Sequence, residues 1–114
     1  MQSSNTPDEI LGNASAPHVL KFEYCGGWGY RRYVVAAIDQ IEKVPEYKGQ
    51  FKYALYMDPG VTGRLEVTLY KNSHDDQSAD GIVLHSKVAT KQYIHTNYDQ
   101  FMSTLGDALK WGAS

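Results

Sequence analysis

Residues 18–43 read HVLKFEYCGGWGYRRYVVAAIDQIEK, and their pattern is the strongest indication of the fold. An apolar, β-prone run before Cys25 predicts a strand over 18–24, and the two glycines after it predict a tight turn. Apolar residues then recur at helical spacing and predict a helix over about 31–43. The positions on its apolar stripe are Tyr30, Val34, Ala37, Ile38 and Ile41. The stretch is therefore a strand, a turn and a helix, with the only thiol of the chain on the turn.

The middle of the chain has the alternation of half-buried strands. Residues 50–57 and 63–70 alternate between apolar and polar side chains, which predicts a second and a third strand. A nearly all-polar run over 72–80 predicts a long exposed loop, and 82–86 predicts a short fourth strand. The two last strands are expected to form an antiparallel hairpin.

The end of the chain predicts a second helix, with Thr96 as its N-cap and Asp99 as favourable charge in its first turn. Its apolar stripe consists of Tyr98, Phe101, Met102, Leu105 and Leu109. The order is β-α-β-β-β-α, in which the first strand, helix and second strand form a right-handed parallel unit. We predict a four-stranded mixed sheet packed by two helices, a thioredoxin-like α/β sandwich.

Length and composition indicate one small domain over 18–114, preceded by a flexible tail over 1–17 that is rich in Ser, Asn, Pro and Asp. With 13 acidic and 11 basic residues the formal net charge is −2, which does not indicate nucleic-acid binding. No apolar stretch approaches the roughly 20 residues of a membrane span. One cysteine excludes an internal disulfide, and without a recognisable export signal it predicts a reducing, cytoplasmic location.

Cys25 is the candidate for chemistry. A cysteine close to a helix N-terminus has its thiolate favoured by the helix dipole and by backbone N–H groups. Gly26, Gly27 and Gly29 allow a tight turn and the close approach of another backbone. The layout is that of a C-x-x-C redox motif in which Trp28 stands at the second cysteine position. The alternative interpretation of Cys25 is a small buried apolar residue.

Three motifs in this order resemble the selenoprotein W (Rdx) family, over about residues 19–111. Residues 24–30, followed by two basic residues and Tyr33, resemble its redox loop. Residues 62–67 resemble its Thr-Gly-x-Phe-Glu-Val, with Leu65 in place of Phe, and residues 83–87 resemble its Leu-Ile-His-Ser-Lys strand end. The departure is Trp28, because this position holds selenocysteine or cysteine in the family. Trp28 is either a true substitution or a UGA selenocysteine codon translated as tryptophan.

The resemblance implies a cytoplasmic, antioxidant thiol oxidoreductase of thioredoxin-like fold. It implies no tightly bound cofactor, glutathione as co-substrate, and protein thiol partners. With one sulfur the chemistry must be monothiol, so that external glutathione resolves any mixed disulfide. The second hypothesis is a catalytically silent protein-interaction module whose contact surface is the loop from Cys25 to Trp28.

The candidate catalytic residue is Cys25, and the other candidate residues would bind substrate or partner. These are Gly26, Gly27, Trp28, Gly29, Tyr30, Thr62 and Gly63. Arg31 and Arg32 could attract the carboxylates of glutathione, or they form a solvated helix face. The four histidines lack metal-ligand spacing, so we predict no metal site. The oligomeric state stays open, with a monomer favoured.

Overall fold

A five-stranded mixed sheet and two longer helices form the body of the protein in a computed structural model that describes residues 7–27, 29–70 and 81–110. The strands are β1 (Glu9–Gly12), β2 (His18–Tyr24), β3 (Phe51–Met57), β4 (Leu65–Tyr70) and β5 (Ile82–Ser86). The helices are α1 (Arg31–Glu42), the single turn α2 (Lys87–Thr90) and α3 (Tyr98–Lys110), with a 3-10 turn at Ile94–Thr96. The loop expected over 72–80 lies outside the described residues.

The strand order is β1-β3-β2-β4-β5, with β2 at the centre. β2 runs parallel to β3, as the predicted strand–helix–strand unit requires, and antiparallel to β4. β4 and β5 pair antiparallel, with an irregularity between Val67 and Thr68. The mixed α/β class is confirmed, whereas the prediction of a four-stranded sheet is wrong by one strand.

The additional strand is β1, which pairs antiparallel with the outer edge of β3. It lies within the stretch 1–17, where the sequence predicts a flexible tail. Asp8 strengthens the attachment, because its N–H donates to the carbonyl of Leu55 at 2.8 Å and its carboxylate accepts from the N–H of Met57 at 2.7 Å. β1 is four residues long and alternates only between half-buried and exposed positions, so it has no apolar pattern that sequence reasoning could detect.

The hydrophobic core lies between one face of the sheet and the helices α1 and α3. Period-two alternation places one set of strand side chains on this face, and all of them are fully buried. The central strands contribute Leu20, Phe22, Tyr24, Phe51, Tyr53, Leu55, Leu65, Val67 and Leu69. The helices contribute Val34, Ala37, Ile38, Ile41, Phe101, Leu105 and Ala108. This packing fixes the ends of β2 and α1, which flank the candidate site.

The start of α3 differs from the prediction by one residue. The side-chain oxygen of Asn97 accepts from the N–H of Gln100 at 3.0 Å, so Asn97 caps this helix. Thr96 instead donates its hydroxyl to the carbonyl of Tyr93 at 2.6 Å, and its prediction as N-cap is wrong. Asp99 lies in the first turn as expected. Of the helices in the described ranges, none combines the length and the apolar content needed to cross a membrane.

Candidate functional site

Cys25 directly follows β2 and is 1% exposed. Its backbone N–H donates to the carbonyl of Arg64 at 2.9 Å, which extends the pairing of β2 and β4 by one residue. Its sulfur accepts from the N–H of Gly27 at 3.4 Å. A backbone donor aimed at sulfur stabilises negative charge on a thiolate. The chain thus bends back on itself, which is the tight turn that the sequence predicts after Cys25.

Gly26 and Gly27 pack the turn against the loop of residues 58–64, here called the Asp58 loop. Gly26 donates its N–H to the carbonyl of Gly60 at 3.1 Å. A Cβ at Gly26 would lie 2.1 Å from the carbonyl oxygen of Asp58, and a Cβ at Gly27 would lie 2.2 Å from a methyl carbon of Val61. Gly26 is therefore required by the close approach of a backbone, whereas at Gly27 the near atom belongs to a side chain.

The Asp58 loop is held by a carboxylate at its start. Arg64 donates Nη2 and Nε to the two oxygens of Asp58 at 2.6 and 3.0 Å, and the hydroxyl of Thr62 donates to Asp58 at 2.6 Å. Arg64 also lies 3.6 Å from the carboxylate of Glu23. Burial raises the pKa of Asp58, but the hydrogen bonds from Arg64 and Thr62 outweigh it and leave this pKa below its ordinary value.

Thr62 and Gly63 are part of the Asp58 loop, whose residues Gly60 and Arg64 are hydrogen-bonded to the Cys25 turn. Thr62 accepts the N–H of Arg64 at 3.3 Å, and Gly63 adopts a φ of 70°, a left-handed conformation that favours glycine. Sequence reasoning missed the roles of Asp58 and Arg64. Asp-Pro-Gly at residues 58–60 is typical of a turn. No pattern in the sequence, however, indicates that the carboxylate of Asp58 pairs with an arginine six residues later.

Tyr30 precedes α1 and is buried to 2% exposure in an aromatic cluster with Tyr33, Tyr93 and His95. Its hydroxyl lies 3.0 Å from that of Tyr93. Burial raises the pKa of Tyr30, and the hydrogen bond to Tyr93 and the nearby charge of Cys25 raise it further. Tyr30 is therefore a neutral phenol next to the cysteine, and its body packs in the core.

The remaining predicted site residues lie apart from the sulfur or outside the description. Gly29 is exposed with a φ of 70° and has open space around it. Arg31 forms a two-point ion pair with Glu9 at 2.6 and 2.7 Å, and Arg32 lies over the ring of Tyr33. Trp28, with the predictions made for it, lies outside the described residues. Within the described part of the chain, no group of three or more metal-ligating side chains comes together.

Comparison with known protein families finds no family model that matches this chain, and comparison with curated protein sequences finds no significant match.

Proposed function

We propose that this protein is a selenoprotein W-like thiol oxidoreductase of thioredoxin-like fold, in which Cys25 is the sole nucleophile. The observation that carries the proposal is the position of Cys25 between β2 and α1, with the N–H of Gly27 directed at its sulfur. Sheet topology adds support. Leaving β1 aside, the order β3-β2-β4-β5, with one parallel and two antiparallel pairings, is the arrangement we expect of a thioredoxin-like sheet.

The chemistry that fits one sulfur is glutathione-linked thiol–disulfide exchange in the cytoplasm. The Cys25 thiolate attacks the glutathionyl sulfur of a protein–glutathione mixed disulfide, and the protein thiolate leaves. A glutathione thiolate then attacks the glutathionyl sulfur on Cys25, releasing the Cys25 thiolate and oxidised glutathione. Each turnover consumes one glutathione, which leaves in oxidised glutathione together with the glutathionyl group of the substrate. The substrates are thus glutathionylated protein thiols, the protein thiol is the product, and glutathione is the co-substrate.

Burial of Cys25 places a condition on this function. Reactive cysteines lie in partly exposed positions, and a sulfur in a residue that is 1% exposed is covered. Cys25 belongs to the hydrophobic core cluster, although Gly26 and Gly27 after it are exposed. Exchange therefore requires a local movement that exposes the sulfur, and we expect it to be slower than for an exposed thiol.

The direct test is incubation of the folded protein with oxidised glutathione at several pH values, followed by intact-mass spectrometry. We expect one glutathione adduct, which Cys25→Ser abolishes and which added glutathione removes. The matched control is the same incubation in denaturant, where the sulfur is accessible. An adduct that forms only in denaturant contradicts the proposal.

The second candidate, a catalytically silent interaction module, is favoured by the burial of Cys25. Glutathione-dependent reductase activity of wild type and Trp28→Cys separates the two functions. Activity in Trp28→Cys supports a competent fold that lacks the second redox atom, whereas inactivity of both proteins supports the interaction module. The codon for residue 28 decides the remaining alternative, since UGG excludes a selenocysteine codon translated as tryptophan.

A further inference from the structure

The surface beside α1 combines aromatic rings with two cations. Tyr33 stacks on His95 with ring centroids 4.6 Å apart and an interplanar angle of 18°, and Tyr93 lies 5.4 Å from Tyr33. Arg32 lies 5.0 Å from the ring centroid of Tyr33, and Lys87 lies 4.9 Å from that of Tyr93. These five residues, from α1, the start of α2 and the 3-10 turn, are here called the aromatic–cationic patch.

Neither cation of the patch forms an ion pair with a carboxylate among the residues that the structure describes. Among the residues that the structure describes, every ion pair involves other basic groups, namely Lys21, Arg31 and Arg64. Arg32 uses one N–H on the hydroxyl of Tyr33 at 3.2 Å, which leaves further donors of its guanidinium for another group. The patch is therefore positive on a chain whose formal net charge is −2.

The patch is also organised before any partner arrives. Cation–π contacts hold Arg32 and Lys87 over ring faces, and the hydroxyl contact between Tyr30 and Tyr93 anchors the rings from the core side. Holding long side chains in place in advance lowers the entropy lost on binding. Tyrosine and arginine are the residue types enriched among the side chains that dominate binding energy at protein interfaces.

We propose that the aromatic–cationic patch binds an acidic peptide segment of a partner protein. Carboxylates of the segment would pair with Arg32 and Lys87, in two-point geometry at the guanidinium. An apolar or aromatic side chain between these carboxylates would rest on the half-buried Tyr93 and the exposed His95. Nucleic acid fits less well, because its affinity depends on many phosphate contacts and the patch offers two cations. This inference does not depend on the redox function, since no step of it involves the sulfur of Cys25.

The test uses a fluorescein-labelled peptide of glutamates with one central tryptophan, and fluorescence anisotropy with the full chain. We expect saturable binding that weakens with added salt, and at least a tenfold loss of affinity in the double variant Arg32→Gln/Lys87→Gln. Lys43→Gln/Lys110→Gln is the charge-matched control, because both lysines are exposed and lie at the ends of α1 and α3. Its affinity should stay within about twofold of wild type.

Three outcomes overturn the proposal. The first is no binding of the acidic peptide, and the second is an equal loss in the double variant and its control, which indicates net charge alone. The third is tighter binding of a labelled single-stranded DNA oligomer than of the peptide. Circular dichroism checks that each variant is folded. His95→Ala removes another exposed side chain of the patch, and its affinity for the peptide should also be lower than that of wild type. Cys25→Ser should bind the peptide like wild type, which separates this result from the redox test.

Discussion

At the scale of single residues, the missing side chain of Gly26 allows the Cys25 turn to lie against the Asp58 loop. Its neighbour across the gap is the carbonyl oxygen of Asp58, a backbone atom, 2.1 Å from where a Cβ would stand. We expect Gly26→Ala to lower the free energy of unfolding by about 1–3 kcal/mol, because the backbone must shift to admit the methyl group. Urea unfolding followed by circular dichroism measures this loss.

Gly27 provides the matched control at this scale, because its neighbour is the side chain of Val61, which is 59% exposed. An exposed side chain can turn away, so Gly27→Ala should cost less than Gly26→Ala. In a Val61→Ala background the obstructing methyl groups are absent. We therefore expect the free energy of unfolding of Gly27→Ala/Val61→Ala to lie within about 0.5 kcal/mol of that of Val61→Ala alone. Equal costs at the two glycines would show that the turn does not pack as described.

At the scale of the element, α3 depends on its N-terminal cap. Asn97 accepts the N–H of Gln100, one of the N–H groups that a helix start leaves without an intrahelical partner. We expect Asn97→Ala to lower the free energy of unfolding by about 0.5–2 kcal/mol. Asn97→Ser keeps a side-chain acceptor and should retain most of the wild-type stability. Thermal unfolding of both variants, with far-ultraviolet circular dichroism, makes the comparison.

The assignment of Thr96 as the N-cap of α3, which the sequence predicts, provides the control for this prediction. If Thr96 were the cap, Thr96→Ala would cost more than Asn97→Ala and Asn97→Ser would not differ from Asn97→Ala. Thr96→Ala should instead remove only the bond to the carbonyl of Tyr93, a neutral hydrogen bond of about 1 kcal/mol. The difference between Asn97→Ser and Asn97→Ala therefore decides whether Asn97 caps α3, since serine keeps a side-chain acceptor and alanine does not.

At the scale of the whole molecule, two carboxylates in ion pairs make stability depend on pH: Glu9 joins β1 to α1, and Asp58 closes its own loop. The hydrogen bond from Arg31 lowers the pKa of Glu9, and at Asp58 the hydrogen bonds from Arg64 and Thr62 outweigh the opposing effect of burial. A carboxyl whose pKa is lower in the folded state stabilises the fold above its unfolded pKa. This contribution is lost as pH falls through the folded pKa, so we expect the Tm to fall from about pH 5 downward.

Variants of the two carboxylates should differ in this acid dependence. The Asp58 side chain is 11% exposed and that of Glu9 is 35% exposed, so solvent screens the Glu9–Arg31 pair more strongly. Asp58→Asn should therefore flatten the fall of Tm between pH 5 and about 3 more than Glu9→Gln. Scanning calorimetry from pH 7 to about 3 measures both slopes. A slope in Asp58→Asn that equals that of wild type contradicts the assignment.

The elements with strong periodicity could be predicted from the order of residues alone. The apolar alternation of β2, β3 and β4 and the stripe of α1 predicted their existence and faces, because side-chain burial follows the period of the backbone. Turn chemistry also placed the tight turn at Cys25, since two consecutive glycines follow a strand. These are local properties, which a chain carries in its order of residues.

Contacts between segments that are apart in the sequence could not be predicted in this way, because they arise from the folding of the whole chain. β1 is a strand because β3 offers it an unpaired edge, and four residues without apolar alternation cannot signal this. The ion pair of Asp58 and Arg64 likewise depends on how their loop folds back on itself, which no local pattern signals. The order of residues places the sulfur on a turn between a strand and a helix, and the packing of the hydrophobic core determines that Cys25 is buried there.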